Sequence, residues 1–230
     1  MSRWFTRRLV MLPTWRSWLV IIGVLALGVL AAARHVHGFL AVERPAEDAT
    51  ILVVEGWLSQ GALDRAVALY RDGAYRLVVT TGGPIESWSD SDDFPSYADR
   101  ASDYLVRSGV PADQIHSVPA PASAQNRTFL SAVMLRYWLD EQELAPAALD
   151  ILSGGVHARR SHRLFRLALG PRVRVGILAA EADGYDPTAW WRSSAGAKAV
   201  MGELISLGWT VCCFRAPEPG SHQEHWGETR

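Results

Sequence analysis

From Thr50 onward the chain alternates between short apolar runs and amphipathic segments, and this alternation limits its possible folds more than any other feature. The first run, TILVVEG, is apolar, rich in β-branched residues and stopped by glycine, as buried strands are. The predicted strands are 50–56, 75–83, 113–121, 148–155 and 172–180. The predicted helices are 60–72, 96–108, 124–142, 157–169 and one within 189–210.

Strands and helices that alternate about five times, with no hairpin signal between strands, predict an α/β fold. We expect a doubly wound, mostly parallel five-stranded sheet with helices on both faces. In such folds ligands bind outside the carboxyl ends of the strands, where the strand order reverses. The residues directly after each strand are therefore the candidates for function.

The first segment predicts a transmembrane helix. Its apolar run, WLVIIGVLALGVLAAA at 18–33, would span roughly 24 Å, slightly less than a hydrocarbon core of about 30 Å. No acidic residue occurs before Glu43, and the lead contains four arginines, Arg3, Arg7, Arg8 and Arg16. A retained anchor is favoured over a cleaved signal peptide because the charged lead is long. Either alternative leaves the arginines in the cytoplasm and exports the rest.

The chain is thus expected to have one folded domain behind an anchor. The predicted segments are a cytoplasmic basic lead (1–17), a transmembrane anchor (18–34), a linker (35–49), the α/β domain (50–214) and a loose polar tail (215–230).

Composition excludes some classes of site. The formal net charge of -1 argues against a nucleic-acid binder. Cys212 and Cys213 are adjacent, a spacing that disfavours an ordinary disulfide. His222 and His225 have a metal-like spacing, but they lie in a polar tail, and no metal site is predicted.

Glycines and polar residues follow the predicted strands, and ten of them are candidate site residues. They are Glu55 and Gly56 after the first strand, Thr81, Gly82 and Gly83 after the second, Asn126 and Thr128 at the start of the long helix, and Gly155, His157 and Arg160 after the fourth strand. Glycines there let backbone amides approach an anion. The alternative is that they only form tight turns, and that the helix-start residues only cap their helix.

Glu55 and His157 are the candidates for acid–base chemistry. Glu55 ends a buried strand, so we expect a partly desolvated carboxylate, as suits a general base. A salt bridge to an arginine is the alternative. His157 is a candidate acid, base or hydrogen-bond donor, and the alternative is a capping or packing histidine.

Basic residues open the helix after the fourth strand, in GGVHARRSHR, although the helix dipole disfavours positive charge there. Arg163 and Arg166 are predicted to be solvated, and Arg159 also. Arg160 is predicted to hold a phosphate or carboxylate through its guanidinium. A bound anion would relieve the conflict with the dipole, so the arginines favour a ligand.

Several motifs occur in a characteristic order over roughly residues 50–208: VVEGW, TTGGP, NRT before a long helix, GVHARRS, LFRLALG and WWRSS. Together they resemble the SanA/ElyC/YdcF-like family, a domain of unknown function. The resemblance implies a Rossmann-like α/β domain tethered to the bacterial inner membrane and facing the periplasm. It also implies a link to envelope integrity, peptidoglycan precursors or lipid-carrier metabolism, with no established reaction. The Glu-Gly pair after the first strand, where many relatives have a glycine-rich turn, argues against a nucleotide site.

These observations predict a single-pass protein of the bacterial inner membrane with a periplasmic main domain. Its cleft is expected to bind an anionic, phosphate-bearing small molecule or a lipid-linked glycan, in envelope polysaccharide or peptidoglycan precursor metabolism. The residues indicate no particular cofactor and leave open whether a reaction is catalysed. The alternative function is a non-enzymatic periplasmic module that binds a nucleotide-like ligand or an envelope partner.

Overall fold

The computed structural model describes residues 13–85, 94–123 and 125–224, apart from the side chain of His222. The chain divides into two compact units between Val36 and His37. One helix, α1 (Trp15–Leu40), contains most of the described part of the first unit, and its last turn belongs to the second unit. At 26 residues and apolar throughout most of its length, α1 could cross a membrane. The predicted anchor lies within it, and the helix extends beyond the prediction at both ends.

In the residues that the structure describes, the second unit is built on a five-stranded sheet flanked by five α-helices. The strands are β1 (Ile51–Glu55), β2 (Leu77–Gly82), β3 (Ile115–Pro119), β4 (Ala148–Gly154) and β5 (Arg174–Ala180). The helices are α2 (Gln60–Arg71), α3 (Tyr97–Arg107), α4 (Arg127–Glu141), α5 (Ala158–Leu169) and α6 (Ser194–Cys212). Short 3-10 helices occur at Ala112–Gln114, Gly155–His157, Pro187–Arg192 and His222–Glu224.

The strand order is β3-β2-β1-β4-β5, and every pair is parallel. The predicted doubly wound α/β fold is thereby confirmed, with all five strands parallel. The chain leaves β1 towards one edge of the sheet and later returns to the other side of β1 as β4. The order therefore reverses between β1 and β4, and a crevice is expected over their carboxyl ends.

Both faces of the sheet are buried, which is why β1 is apolar without alternation. Val53 faces a cluster that contains Phe129 of α4 and Phe165 of α5. Leu52 faces a second cluster that contains Leu63 of α2 and Leu105 of α3. Helix α6 packs beside α5, on the first of these faces.

Part of the predicted linker belongs to the folded domain. Leu40 and Val42 are buried. Arg44 pairs antiparallel with Ile177 of β5, through backbone bonds of 2.7 and 2.9 Å. Because the backbone of this segment is hydrogen-bonded to the sheet edge, the chain between α1 and β1 is held against the domain.

The prediction that the tail is loose is wrong for the part that the structure describes, because Glu224 is buried. Its side chain is 1% exposed and forms an ion pair of 2.7 Å with Arg136 of α4. It also accepts hydrogen bonds from the Tyr137 hydroxyl, at 2.8 Å, and from the Gly220 amide, at 2.7 Å. Burial alone would raise the pKa of Glu224, but these donors lower it. His225 lies outside the described residues.

Cys212 and Cys213 are joined by a disulfide at the end of α6. The prediction that adjacency would disfavour a bridge was therefore wrong. Cys213 has left the helical conformation, with φ -125° and ψ -27°, and this departure lets the two neighbouring side chains meet. The described residues contain no free thiol.

Candidate functional site

A cavity of about 1040 Å³ lies at the point where the strand order reverses. Eight of the ten predicted site residues line it: Glu55, Thr81, Gly82, Gly83, Asn126, Thr128, His157 and Arg160. Parallel strands end at the same edge of a sheet, so residues distant in sequence converge there. The structure thus brings most of the candidates together around one space.

Gly56 and Gly155 are not part of the cavity wall. A Cβ on Gly56 would lie 2.3 Å from the carbonyl oxygen of Tyr97, so this glycine allows the start of α3 to approach β1. Gly155 has φ +38°, in the left-handed region, and turns the chain from β4 into α5. Both glycines therefore have the turn and packing role that the sequence left open as the alternative.

Glu55 lies buried at the end of β1, with 3% of its surface exposed. The Ser153 hydroxyl of β4 donates to one carboxylate oxygen at 2.5 Å, and the Ser161 hydroxyl of α5 donates to the other at 2.9 Å. Among the described residues no basic side chain forms a salt bridge with Glu55, so the alternative of an arginine partner is not realised. Two hydroxyls hold the carboxylate in one orientation at the cavity wall.

Arg160 forms a two-pronged ion pair with Glu203 of α6. The guanidinium Nε lies 2.8 Å from Oε2, and Nη2 lies 3.0 Å from Oε1. Both side chains are less than one-fifth exposed. The fork that was predicted to hold a ligand anion is therefore already engaged by a carboxylate of the chain itself.

Glu203 also holds His157. The Nδ1 atom of His157 lies 2.7 Å from Oε1 of Glu203. Burial alone would raise the pKa of Glu203, but the hydrogen bonds and charges of His157 and Arg160 lower it to about 2. Because this carboxylate is ionised at neutral pH, Nδ1 carries the hydrogen and donates it. In the neutral imidazole, Nε2 is then left as an acceptor.

The other contacts of His157 fix the plane of its ring. Its Nε2 lies 3.4 Å from the hydroxyl oxygen of Thr128 at the start of α4. The Trp57 ring meets the imidazole edge-on, with 4.9 Å between ring centroids. Nη2 of Arg160 lies 2.9 Å from Nδ1 and 3.2 Å from Nε2 of the imidazole. His157 is thus oriented like a catalytic histidine with an acidic partner.

The arginines that open α5 have separate environments. Arg163 and Arg166 are exposed, as predicted. Arg159 was predicted to be solvated but is partly buried, with its guanidinium 4.0 Å from the centre of the Phe39 ring. Burial and the nearby charge of Arg44 lower the pKa of Arg159.

The conflict between Arg160 and the dipole of α5 is relieved within the chain. Glu203 supplies the negative charge that was attributed to a bound ligand in the sequence-based argument. Paired with Glu203, Arg160 has no uncompensated charge for a bound anion. An anion in the cavity would need another basic group.

The start of α4 provides such a group. Asn126 precedes the helix in the left-handed conformation, with φ +51°, and its side chain makes no capping hydrogen bond. The first turn of α4 contains no acidic residue. Arg127 is exposed, lines the cavity and forms no ion pair with any residue that the structure describes. The positive end of α4 and an uncompensated guanidinium therefore occupy the same wall.

Thr81 contributes a second unsatisfied group. It is buried at the end of β2 and belongs to the cavity wall. Its hydroxyl has no hydrogen-bond partner among the described residues. Buried hydroxyls are normally paired, so an unpaired one beside a cavity is compatible with a ligand that supplies the missing partner.

Sequence reasoning missed the contribution of α6. Its side of the cavity consists of Ile205, Ser206, Trp209 and Thr210. The one signal in the sequence was Glu203, which is the only acidic residue between Ser194 and Cys212. A single carboxylate in an otherwise apolar helix usually needs a buried partner.

The wall thus combines the positive end of α4 and the unpaired Arg127 with an oriented carboxylate, Glu55, and an oriented imidazole, His157. Among the described residues there is no group of three or more His, Cys, Asp or Glu side chains that could hold a metal ion. In comparisons with known proteins, neither a family model nor a curated protein matches the chain. The resemblance to the SanA/ElyC/YdcF-like family therefore stays a prediction.

Proposed function

We propose that the chain is a membrane-anchored protein of the bacterial cell envelope whose cavity binds a phosphate-bearing small molecule. The observation that carries this proposal is the start of α4. There an uncapped helix end and the unpaired Arg127 line the cavity together. Free amides at the positive end of a helix, with a guanidinium beside them, form a recurrent binding arrangement for phosphate.

The balance of charge in the cavity supports an anion. Arg160 is neutralised by Glu203, and Glu55 is shielded by the hydroxyls of two serines. Arg127 is then the uncompensated charge of the wall that the structure describes. The backbone of Gly82 and Gly83 also lines the cavity and permits close approach of a ligand.

The size of the cavity indicates a ligand larger than inorganic phosphate. Its volume of about 1040 Å³ is at the upper end of the range of about 300–1,000 Å³ for small-molecule sites. Trp57, Tyr97 and Trp209 contribute aromatic surface to its wall. Aromatic rings stack against sugar rings and hydrocarbon chains. A phosphate attached to a glycan or lipid fits these features, as expected for a precursor of envelope polysaccharide or peptidoglycan.

The proposed location is the inner membrane, with the α/β domain in the periplasm. Helix α1 is long and apolar enough to span, and the arginines before it favour a cytoplasmic amino terminus. The disulfide of Cys212 and Cys213 is compatible with an oxidising compartment. Alkaline phosphatase fused after Arg230 should be active in intact cells, and an inactive fusion at normal expression would contradict this orientation.

Within the cavity we assign proton transfer to Glu55 and His157, should the bound molecule be turned over. A non-enzymatic binding module is the second candidate. It is favoured by the internal pairing of these groups, since both oxygens of Glu55 and Nδ1 of His157 already have partners.

Native mass spectrometry of the full chain released from detergent, with inorganic pyrophosphate as the probe, tests the proposal. We expect one bound pyrophosphate per chain, and the absence of any bound species would contradict the proposal. Pyrophosphate that stays intact favours the binding module, and its conversion to phosphate favours the enzyme.

A further inference from the structure

Three side chains at the cavity form a line of hydrogen bonds that ends at a hydroxyl. Nδ1 of His157 lies 2.7 Å from Oε1 of Glu203, and its Nε2 lies 3.4 Å from Oγ1 of Thr128. Thr128 and His157 line the cavity, and Glu203 supports the imidazole from α6. A hydroxyl, an imidazole and a carboxylate in this order are the groups with which many hydrolases activate an oxygen nucleophile. We call these three residues the Thr128 triad.

The imidazole of the Thr128 triad is set to accept a proton from the hydroxyl. Nδ1 donates to the ionised carboxylate of Glu203, which leaves the lone pair of Nε2 for the Thr128 hydroxyl. The side chains of His157 and Glu203 are 14% and 16% exposed, so little water competes for these contacts. The contact of 3.4 Å is a long one, and contacts between a nucleophile and its base tighten when a substrate binds.

The start of α4 places Thr128 beside the positive end of a helix. Thr128 is the second residue of α4. The amide of Leu130 donates to the Asn126 carbonyl oxygen at 3.0 Å, and the amides before it precede the hydrogen bonds of the helix. These amides can donate to an anion, and the guanidinium of the neighbouring Arg127 lines the same cavity. A phosphoryl group bound there lies next to the hydroxyl of the Thr128 triad.

The two arginines of the cavity wall have different roles. Attack on a phosphoryl group requires that its negative charge be neutralised. Arg160 is engaged by Glu203, with Nε 2.8 Å from Oε2, and so holds the carboxylate of the Thr128 triad in place. Arg127 forms no ion pair with any residue that the structure describes, so its charge remains for the phosphoryl oxygens.

We propose that the cavity catalyses phosphoryl transfer from a phosphoanhydride, with Thr128 as the nucleophile, His157 as its base and Glu203 as the positioning residue. This inference rests on the proposed function for the bound phosphate, and adds the nucleophile and the class of bond. In-line displacement puts the leaving group opposite Thr128 and therefore away from His157. A leaving group that receives no proton from His157 departs most readily as a stable anion, as the phosphate of an anhydride is.

The reaction needs water as its only other reactant. Nε2 of His157 takes the hydroxyl proton as the Thr128 oxygen forms a bond to phosphorus. The bond between phosphorus and the bridging oxygen breaks, and its electron pair leaves with the departing phosphate. After His157 has released that proton to solvent, Nε2 takes a proton from water and the water oxygen bonds to phosphorus. The bond from phosphorus to Thr128 then breaks, and the Thr128 oxygen takes the proton back from Nε2.

Turnover of inorganic pyrophosphate by the full chain in detergent tests the proposal. We expect release of phosphate, and a phosphoryl group on Thr128 in acid-quenched samples mapped by peptide mass spectrometry. Thr128→Val should lower kcat by at least about 1,000-fold, and Thr128→Ser, which keeps a hydroxyl, should stay within about tenfold of wild type. The control Thr50→Val, at an exposed position before β1, should turn over pyrophosphate as wild type.

Glu203→Gln tests the positioning role of the carboxylate. Without it the tautomer of His157 is not fixed, so kcat should fall by about 100-fold while the KM for pyrophosphate stays unchanged. Thermal unfolding establishes that the variant is folded at the assay temperature. A folded Glu203→Gln chain with the kcat of wild type would show that the contact is structural only.

Binding of pyrophosphate, measured alongside turnover, separates this inference from the proposed function. If pyrophosphate binds but is not converted, the inference is wrong and the proposed function stands. The same holds if Thr128→Val, or a wild type without a phosphoryl group on Thr128, converts it at the full rate, because water would then be the nucleophile. If pyrophosphate does not bind, the proposed function fails and this inference with it. Should Thr128→Val unfold early, the position of the phosphoryl group in the wild type decides.

Discussion

Arg160 and Glu203 meet at the cavity wall through two hydrogen bonds of 2.8 and 3.0 Å. The pair joins α5 to α6, and the same carboxylate orients His157. One side chain of α6 therefore both satisfies the basic start of α5 and fixes the imidazole that faces the cavity. Both the attachment of α6 to α5 and the orientation of His157 therefore depend on Glu203.

Glu203→Gln should lower the free energy of unfolding at pH 7 by about 1–3 kcal/mol, because Arg160 loses its ionised partner. Urea unfolding of the detergent-solubilised chain, followed by tryptophan fluorescence, measures the change. Glu218→Gln, at an exposed carboxylate, should behave as wild type. Equal stability of the two variants would show that the pair does not hold α6.

The contribution of this pair should also depend on pH. The pKa of Glu203 is about 2 in the folded chain, compared with an ordinary value of 4.5. A lowered pKa stabilises the fold fully above pH about 4.5, and this stabilisation, on the order of 3 kcal/mol, is lost as the pH falls toward about 2. The stability curves of wild type and Glu203→Gln should therefore converge in acid. Curves that stay parallel over this range would contradict the assignment.

Glu224→Ala should cost about 3–5 kcal/mol, because it leaves the guanidinium of Arg136 partly buried without its partner. The segment after Pro217 should also become a preferred site of limited proteolysis. The matched control is Glu218→Ala, a few residues earlier, whose carboxylate is exposed. If both variants unfold at the same urea concentration, the buried contact of the tail does not contribute to stability.

Gly56→Ala should destabilise the domain by about 1–3 kcal/mol, because the added Cβ would lie within 2.3 Å of the Tyr97 carbonyl oxygen. Gly202→Ala, in the middle of α6, meets no atom within 4 Å and should stabilise the helix by roughly 0.5–1 kcal/mol. Thermal unfolding of the two variants should therefore shift in opposite directions. Shifts of the same sign would contradict the close approach of α3 to β1.

Ser161→Ala should reduce stability by about 1–3 kcal/mol, because one oxygen of the buried Glu55 carboxylate loses its donor. Ser194→Ala, at an exposed position of α6, is the control and should have little effect. Adding Glu55→Gln to Ser161→Ala should recover part of the loss, since a neutral amide needs a donor less. Denaturant unfolding of the single and double variants measures this coupling, and a purely additive result would contradict it.

Sequence patterns predicted the strands, the helices and the position of the cavity, because each follows from local periodicity and from the geometry of parallel sheets. Glu55 and His157 were found in this way, directly after β1 and β4. The partner of His157 was not found, because Glu203 is 46 residues further along the chain and on a helix whose apolar sequence gave no sign of which face is buried. Glu224 was missed for the same reason, since its contact with Arg136 spans 88 residues.

The most direct test of the phosphate site is the affinity of the full chain for inorganic pyrophosphate, measured by isothermal titration calorimetry in detergent. Arg127→Ala removes the unpaired guanidinium of the cavity wall, and Arg163→Ala removes an exposed arginine outside that wall. We predict that Arg127→Ala weakens binding by roughly 10- to 100-fold, as expected for the loss of a charge-assisted hydrogen bond, while Arg163→Ala binds as wild type. Equal affinity of all three chains, or no binding by the wild type, would contradict a phosphate site at the start of α4.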